Sequence, residues 1–313
     1  MLSYTLRRLL MTLPVMLFVA LFVFGLLDLA PGDPAALLAG EDATPQDIAR
    51  IRATLGLDQP FLHRFGEWGW SVLHGDLGTS LFTGLPVSHM IGQRLVPTFS
   101  LMVMTLIVSV VVAIPIGALA AWKHNRLQDR GIMVLAVFSF SVPSFAAGYL
   151  LAWIFGLQLR WFPVQGYAPL SAGFWASVHT LVLPALALGS VYVALITRIT
   201  RATLLETLSQ DYVRTARAKG VGNRGLLFRH ALKNAAVPII TVIGSGVALL
   251  ISGTVVTETV FSIPGLGRLV VDAILRRDYP VIQGVILLFS FMYVLVNLLV
   301  DLLYRAFDPR IKY

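Results

Sequence analysis

Six stretches of this chain are each long and apolar enough to cross a lipid bilayer. They are Leu9 to Leu29, Phe99 to Ala121, Ile132 to Leu157, Val178 to Thr197, Val237 to Thr257 and Val281 to Tyr304. A helix needs about 20 predominantly apolar residues for that. No other feature narrows the fold so far. Inside hydrocarbon a backbone must satisfy its own hydrogen bonds, and helices do so within one segment. The expected fold class is therefore an all-α polytopic membrane protein with six transmembrane helices. Composition agrees: 57% of residues are hydrophobic and 13% charged, against about 25% charged in a typical soluble domain.

The first stretch follows a charged start, "MLSYTLRR", as a secretory leader would. It is too long for a leader's apolar region and runs into "LAPGDP" with no small-x-small cleavage pattern, so it reads as a retained span. Pro115, Pro143 and Pro184 fall inside apolar stretches and are expected to kink helices rather than end them. Six spans place both termini on one side, and the Lys and Arg count says which. Arg7 and Arg8, then Lys123, Arg126 and Arg130, the long fourth loop, and Arg305, Arg310 and Lys312 carry about two thirds of the 24 Lys and Arg. Both termini are expected in the cytoplasm.

The domain reading follows. Residues 1–30 are a cytoplasmic N-terminus and first span, 31–97 an extracytoplasmic subdomain, 98–304 a five-helix core with a cytoplasmic loop at 198–237, and 305–313 a cytoplasmic tail. The 31–97 segment is far longer than an ordinary connection, and it carries helix signals. Thr44 with Pro45 predicts an N-terminus, Gly56 a stop, and Pro60 a second helix through "FLHRFGEWGWSVLHG". Trp68, Trp70 and Trp161 fit either the headgroup level or local packing.

The 198–237 loop holds the densest cluster of basic residues, including Arg214, Arg217, Lys219, Arg224, Arg229 and Lys233. Topology explains the sign of that charge. It does not explain a loop this long, or the apolar Ala216, Ala218, Leu226, Leu227, Phe228 and Leu232 set among the charges. "YVRTARAKG" and "GLLFRHALKNAA" predict two helices joined at Gly220 and Gly222 and lying outside the membrane, the second ending before Pro238. A short amphipathic helix held off the bilayer has a partner, lipid headgroups or a protein groove.

Chemistry-bearing patterns point away from catalysis. There is no GxxxxGK[ST], HExxH, GxSxG or SxxK motif. Cysteine is absent, which removes disulfides, thiolate metal sites and thiol nucleophiles. His63, His74, His89, His124, His179 and His230 have no metal-ligand spacing. The net charge of +8 lacks an aromatic-interleaved basic face, so nucleic acid is not an expected partner. The chain is read as non-catalytic, with no bound cofactor or metal. Span centres are almost free of charge, against a proton relay. Asp301 and Arg305 form an i,i+4 pair near the end of the last span. Glu258, beside "FSIPGLG", is structural or gate-adjacent. The Pro and glycines of that segment predict a rigid element capping the outer mouth, with Glu258, Phe261, Pro264, Gly265 and Gly267 as gate candidates.

The basic loop resembles the cytoplasmic coupling loop of ABC importer permeases: Thr215-Ala216-Arg217-Ala218-Lys219-Gly220 through Val237-Pro238. "RTARAKG" in place of the commoner Glu-Ala-Ala start is similar to the dipeptide, oligopeptide and nickel branch. "LAPGDP", "LGLDQP", "GDLGTS", "SVPSF", "ETVFSIPGLG", "RDYP" and "FDPR" match the same branch in order. The large first outer loop resembles that of its first permease subunit. The resemblance covers essentially the whole chain. It implies a type I importer permease fold and half of a heterodimeric pathway in a bacterial inner membrane. It also implies partners: a second homologous permease, two cytoplasmic ATPases that use ATP and Mg, and an extracytoplasmic solute-binding protein. The helix Arg214, Thr215, Ala216, Arg217, Ala218, Lys219, Gly220, Val221 and Gly222 would seat in an ATPase groove. The branch handles dipeptides, oligopeptides, glutathione, opines and nickel, and short peptides are the expected solute. The alternative is an ion- or proton-coupled carrier acting alone.

Overall fold

The computed structural model describes residues 2–29, 33–40, 43–54, 56–222 and 225–307. Among them the structure is helical, with one isolated antiparallel bridge between Thr79 and Pro86. Asp308, Pro309 and Arg310 of "FDPR" and Arg224 lie outside the described residues, and the side chains of Asp301 and Arg305 outside the described side chains. Five helices are individually long and apolar enough to cross a membrane, with a sixth crossing possible from a bent pair. The chain divides into two compact units, residues 1–95 with 269–294, and residues 96–268 with 295–313.

In the first unit, α1 (Leu2–Leu29) leaves Leu13, Leu17, Phe18 and Phe22 exposed, as a lipid-facing helix does, and buries Val23, Phe24 and Leu27 near its end. Two short helices follow, α2 (Pro34–Ala39) and α3 (Pro45–Thr54). The start of α3 is the one expected. Thr44 Oγ1 accepts from the Asp47 N–H at 3.3 Å, and Asp47 Oδ2 accepts from the Thr44 N–H at 3.2 Å and its hydroxyl at 2.6 Å. The Thr44 hydroxyl and N–H hold the Asp47 carboxyl below the ordinary carboxylate range. Gly56, at φ 64°, ends the segment. Then α4 (Phe61–Leu73) packs Phe61, Phe65 and Trp68 around Phe24 of α1. Buried Arg64 sits over the Phe24 ring and reaches Asp28 at 2.6 Å. Trp68 is thus a packing residue, whereas Trp70 is exposed. Further on, Asp278 is buried and accepts from the Ser80 hydroxyl and from the Leu81 N–H at 3.1 Å, tying the 79–86 turn to "RDYP".

The second unit is organised on α8 (Phe174–Leu208), which buries residues on every side, from Leu181 and Ala185 through Tyr192 and Ile196 to Leu204. It is crossed by α5 (Val87–Trp122), by α10 (Leu232–Val260) and by a bent pair, α6 (Leu127–Ser141) and α7 (Ser144–Leu151). Close crossing needs small residues. A side chain on Gly117 of α5 would come within 2.7 Å of the Thr197 carbonyl oxygen, and one on Gly246 of α10 would enter the Tyr192 ring. Pro115 and Pro184 stay inside unbroken helices. The Ile132 to Leu157 stretch does not behave as the single kinked helix expected from the sequence: α6 and α7 meet at 107°. The cause is local. Val142, the residue before Pro143, leaves the helical region for φ −90°, ψ 120°, and Pro143 then opens α7. α7 continues as a π-helical stretch, Ala152–Gln158, and the chain reverses after it, where Arg160 is left-handed and the Trp161 N–H donates to Phe155 O at 2.8 Å. There His179 Nε2 meets the Trp161 carbonyl at 2.8 Å and its ring lies against Phe162, a packing role.

Candidate functional site

The long α8 ends at Leu208, and the link Ser209–Gln210 leads straight into α9 (Asp211–Ala218). Asp211 in its first turn and Arg217 in its last suit the helix dipole. Two residues anchor the helix. Val213 is 1% exposed. The Tyr212 hydroxyl accepts from Asn234 Nδ2 at 2.6 Å, joining α9 to the start of α10. Arg214, Thr215, Arg217, Ala218, Lys219, Gly220 and Gly222 are exposed, and Ala216 and Val221 half-buried. The Asp211–Arg214 pair, 3.5 Å apart on the surface, adds little.

The exit from α9 explains the glycine. The Gly220 N–H donates to Arg217 O at 3.0 Å and the Val221 N–H to Ala216 O at 3.2 Å, with Gly220 at φ 83°. This is a Schellman C-cap, which requires a left-handed residue at that position. The predicted turn is therefore present. The helix begins at Asp211, earlier than Arg214, and ends before Gly220 to Gly222. The second predicted helix is corrected. Leu226–Ala231 is π-helical and continues into α10, which passes through Pro238 instead of stopping before it. Packing of α10 on α8 outweighs the loss of one backbone donor at the proline. The second arm is the foot of a span.

Just before α9, α8 carries an ion pair that sequence reasoning passed over. Asp129, buried at the start of α6, takes Arg201 Nε at 2.5 Å and Arg201 Nη2 at 2.8 Å. The left-handed Asn125 donates its N–H to the same carboxylate at 3.0 Å, and His124 lies 3.2 Å from Arg201 Nη2. A two-pronged guanidinium–carboxylate contact fixes orientation as well as distance. The only hint in the sequence is that Asp129 is acidic within a basic loop.

At the other end of α10 the five gate candidates come together. Glu258 is fully buried and caps α11 (Leu266–Arg276) from outside it. One carboxylate oxygen accepts from the Thr98 hydroxyl at 2.7 Å, the other from the Arg268 N–H at 3.0 Å, while Thr98 Oγ1 accepts from the Leu266 N–H at 2.8 Å. Carboxylates are favoured at helix N-termini. Phe261 is buried, and its carbonyl accepts from Gly166 N–H at 3.0 Å. Pro264 is half-buried between them. Gly265 and Gly267 have no room for a side chain: a Cβ would lie 2.3 Å from the Glu258 carboxylate and 2.4 Å from Val255 Cα respectively. These bonds tie the Glu258 carboxylate to Thr98 and to the first turn of α11. Thr98, distant in sequence, was not foreseeable from local pattern. Among the described residues no three His, Cys, Asp or Glu side chains are grouped to hold a metal ion.

The described residues include apolar helices long enough to cross a membrane, with the basic helix α9 following directly on the buried α8. Comparison with known proteins is specific. Residues 113–313 match the family of binding-protein-dependent transport system inner membrane components, and residues 1–102 match the N-terminal part of such membrane components. A probable peptide ABC transporter permease of Sinorhizobium fredii is 53% identical over 99% of both chains. A putative peptide transport system permease of Brucella abortus is 44% identical and a glutathione transport system permease of Salmonella choleraesuis 45% identical, each over 100% of both chains. The chain belongs to the binding-protein-dependent transport system inner membrane components. It is a multi-pass inner-membrane permease subunit of an ABC importer, and a carrier acting alone is not favoured.

Proposed function

We propose that this chain forms half of the pathway for short peptides, glutathione-sized solutes included, and does no chemistry itself. A second homologous permease completes the pathway, an extracytoplasmic binding protein delivers solute, and two cytoplasmic ATPases hold ATP and Mg. The names of the similar permeases support the solute class. The charge distribution supports placing both termini and α9 in the cytoplasm. The observation that carries the coupling role is the mounting of α9. It is exposed over its basic face, anchored through Val213 and Tyr212, and continuous with the buried α8. A short rigid helix of that kind fits a protein groove, and a push on it is transmitted to α8.

Mild detergent extraction from the native membrane, followed by mass spectrometry, tests the assembly. A second permease and ATPases are expected with the chain. Recovery of the chain alone, transporting in liposomes without ATP, would overturn the proposal.

A further inference from the structure

The α4 helix has more apolar surface than α1 covers. At about 100° per residue, Phe61, Phe65 and Trp68 form the arc packed on α1. Leu62, Leu73 and Trp70 continue that arc and are 75%, 82% and 67% exposed. His63, Glu67, Ser71 and His74 make up the remaining, polar arc, with His63 and Glu67 paired at 3.6 Å. Trp70 stands at the border between the two, its ring against His74 at 4.4 Å between centroids.

What covers the apolar arc follows from where α4 is attached. Phe24, Gly25 and Asp28, in the last turns of a span that ends at Leu29, meet it through Phe61, Phe65, Trp68 and Arg64. With a rise of 1.5 Å per residue, this places α4 within roughly 8 Å of the span's end. That is the depth at which an interfacial helix lies, its apolar face sunk about 5–10 Å into the headgroup and acyl boundary. Trp70 at the edge of the apolar arc suits the headgroup zone, where an amphipathic ring is favoured.

We infer that the Leu62, Trp70 and Leu73 face of α4 is a lipid-binding surface that lays this helix on the bilayer at the C-terminal end of α1. This adds a membrane-surface contact to the transport role and does not depend on which solute is carried.

The chain has no cysteine, so a single cysteine is a unique label within it, and it is labelled before assembly with the unlabelled partner subunits. Leu62→Cys, Leu73→Cys and, for the polar arc, Glu67→Cys are spin-labelled in this way and measured in the complete transporter in phospholipid nanodiscs. Relaxation by oxygen, which concentrates in lipid, is compared with relaxation by a water-soluble nickel chelate. Positions 62 and 73 are expected to show an oxygen-to-nickel ratio several-fold above position 67. Equal nickel access at all three would put the face in water and overturn the inference. Exclusion of both relaxants from 62 and 73 would assign it to a protein partner, overturning it equally. Should one label prevent assembly, Trp70→Cys carries the same comparison. Either failure leaves the co-purifying subunits, and with them the functional proposal, untouched.

Discussion

Gly220 and Glu258 show how single residues hold this permease in shape. Gly220 is left-handed because the Schellman cap of α9 needs it. Gly220→Val forces a β-branched residue there at about 1–2 kcal/mol, enough to rebuild the exit of a helix only eight residues long. Uptake is expected to fall while the amount of inserted protein stays the same, and full-rate uptake would show that the cap is not needed for coupling. Glu258 accepts donors from Thr98 and from the first turn of α11. Glu258→Gln replaces one acceptor with a donor and leaves a buried partner unsatisfied, a loss of about 1–3 kcal/mol. Thermal unfolding in detergent should occur at lower temperature. The effect should be smaller in a Thr98→Val background, since contacting residues couple. An unchanged midpoint would remove the capping role.

At the scale of elements, α8 links the membrane core to the basic helix. Arg201 binds Asp129 two turns before α8 ends, so the start of α6 is tied to α8 close to the root of α9. The Asp129 side chain is 4% exposed and that of Arg201 22%. Removing the guanidinium leaves a nearly buried carboxylate without its counter-charge. Discounted for the partial exposure of Arg201, Arg201→Ala is expected to cost about 1–3 kcal/mol. Arg201→Lys should recover only part, because an ammonium cannot make the two-pronged contact. Thermal midpoints of the three proteins check the order wild type, Lys, Ala, and a Lys variant equal to wild type would reduce the contact to simple charge.

For the whole molecule, the question is whether the basic face of α9 serves coupling or only topology. Arg217 and Lys219 are exposed at its C-terminal end. The double change Arg217→Glu, Lys219→Glu is expected to lower solute-stimulated ATP hydrolysis in the assembled importer while leaving assembly intact. Hydrolysis at the wild-type rate would mean that the charges serve only to orient the chain. The same scale explains the small residues: α5 and α10 pass α8 at Gly117 and Gly246 at distances that forbid a side chain.

Local pattern determined a good deal. Apolar length marked the spans, Thr44 with Asp47 marked the start of α3, and Gly56 and Gly220 marked stops, because each depends on residues within a few positions of one another. The same local logic misjudged Pro143 and Pro238. Whether a proline breaks a helix depends on what packs beside it: α10 runs on through Pro238, while α6 and α7 part at Val142. The Thr98–Glu258 and Asp129–Arg201 contacts join residues 160 and 72 positions apart. They were decided by which helices cross and where. Sequence periodicity tells a helix which face is apolar but not which neighbour that face will meet, so the partners of buried charge were settled only in the tertiary structure.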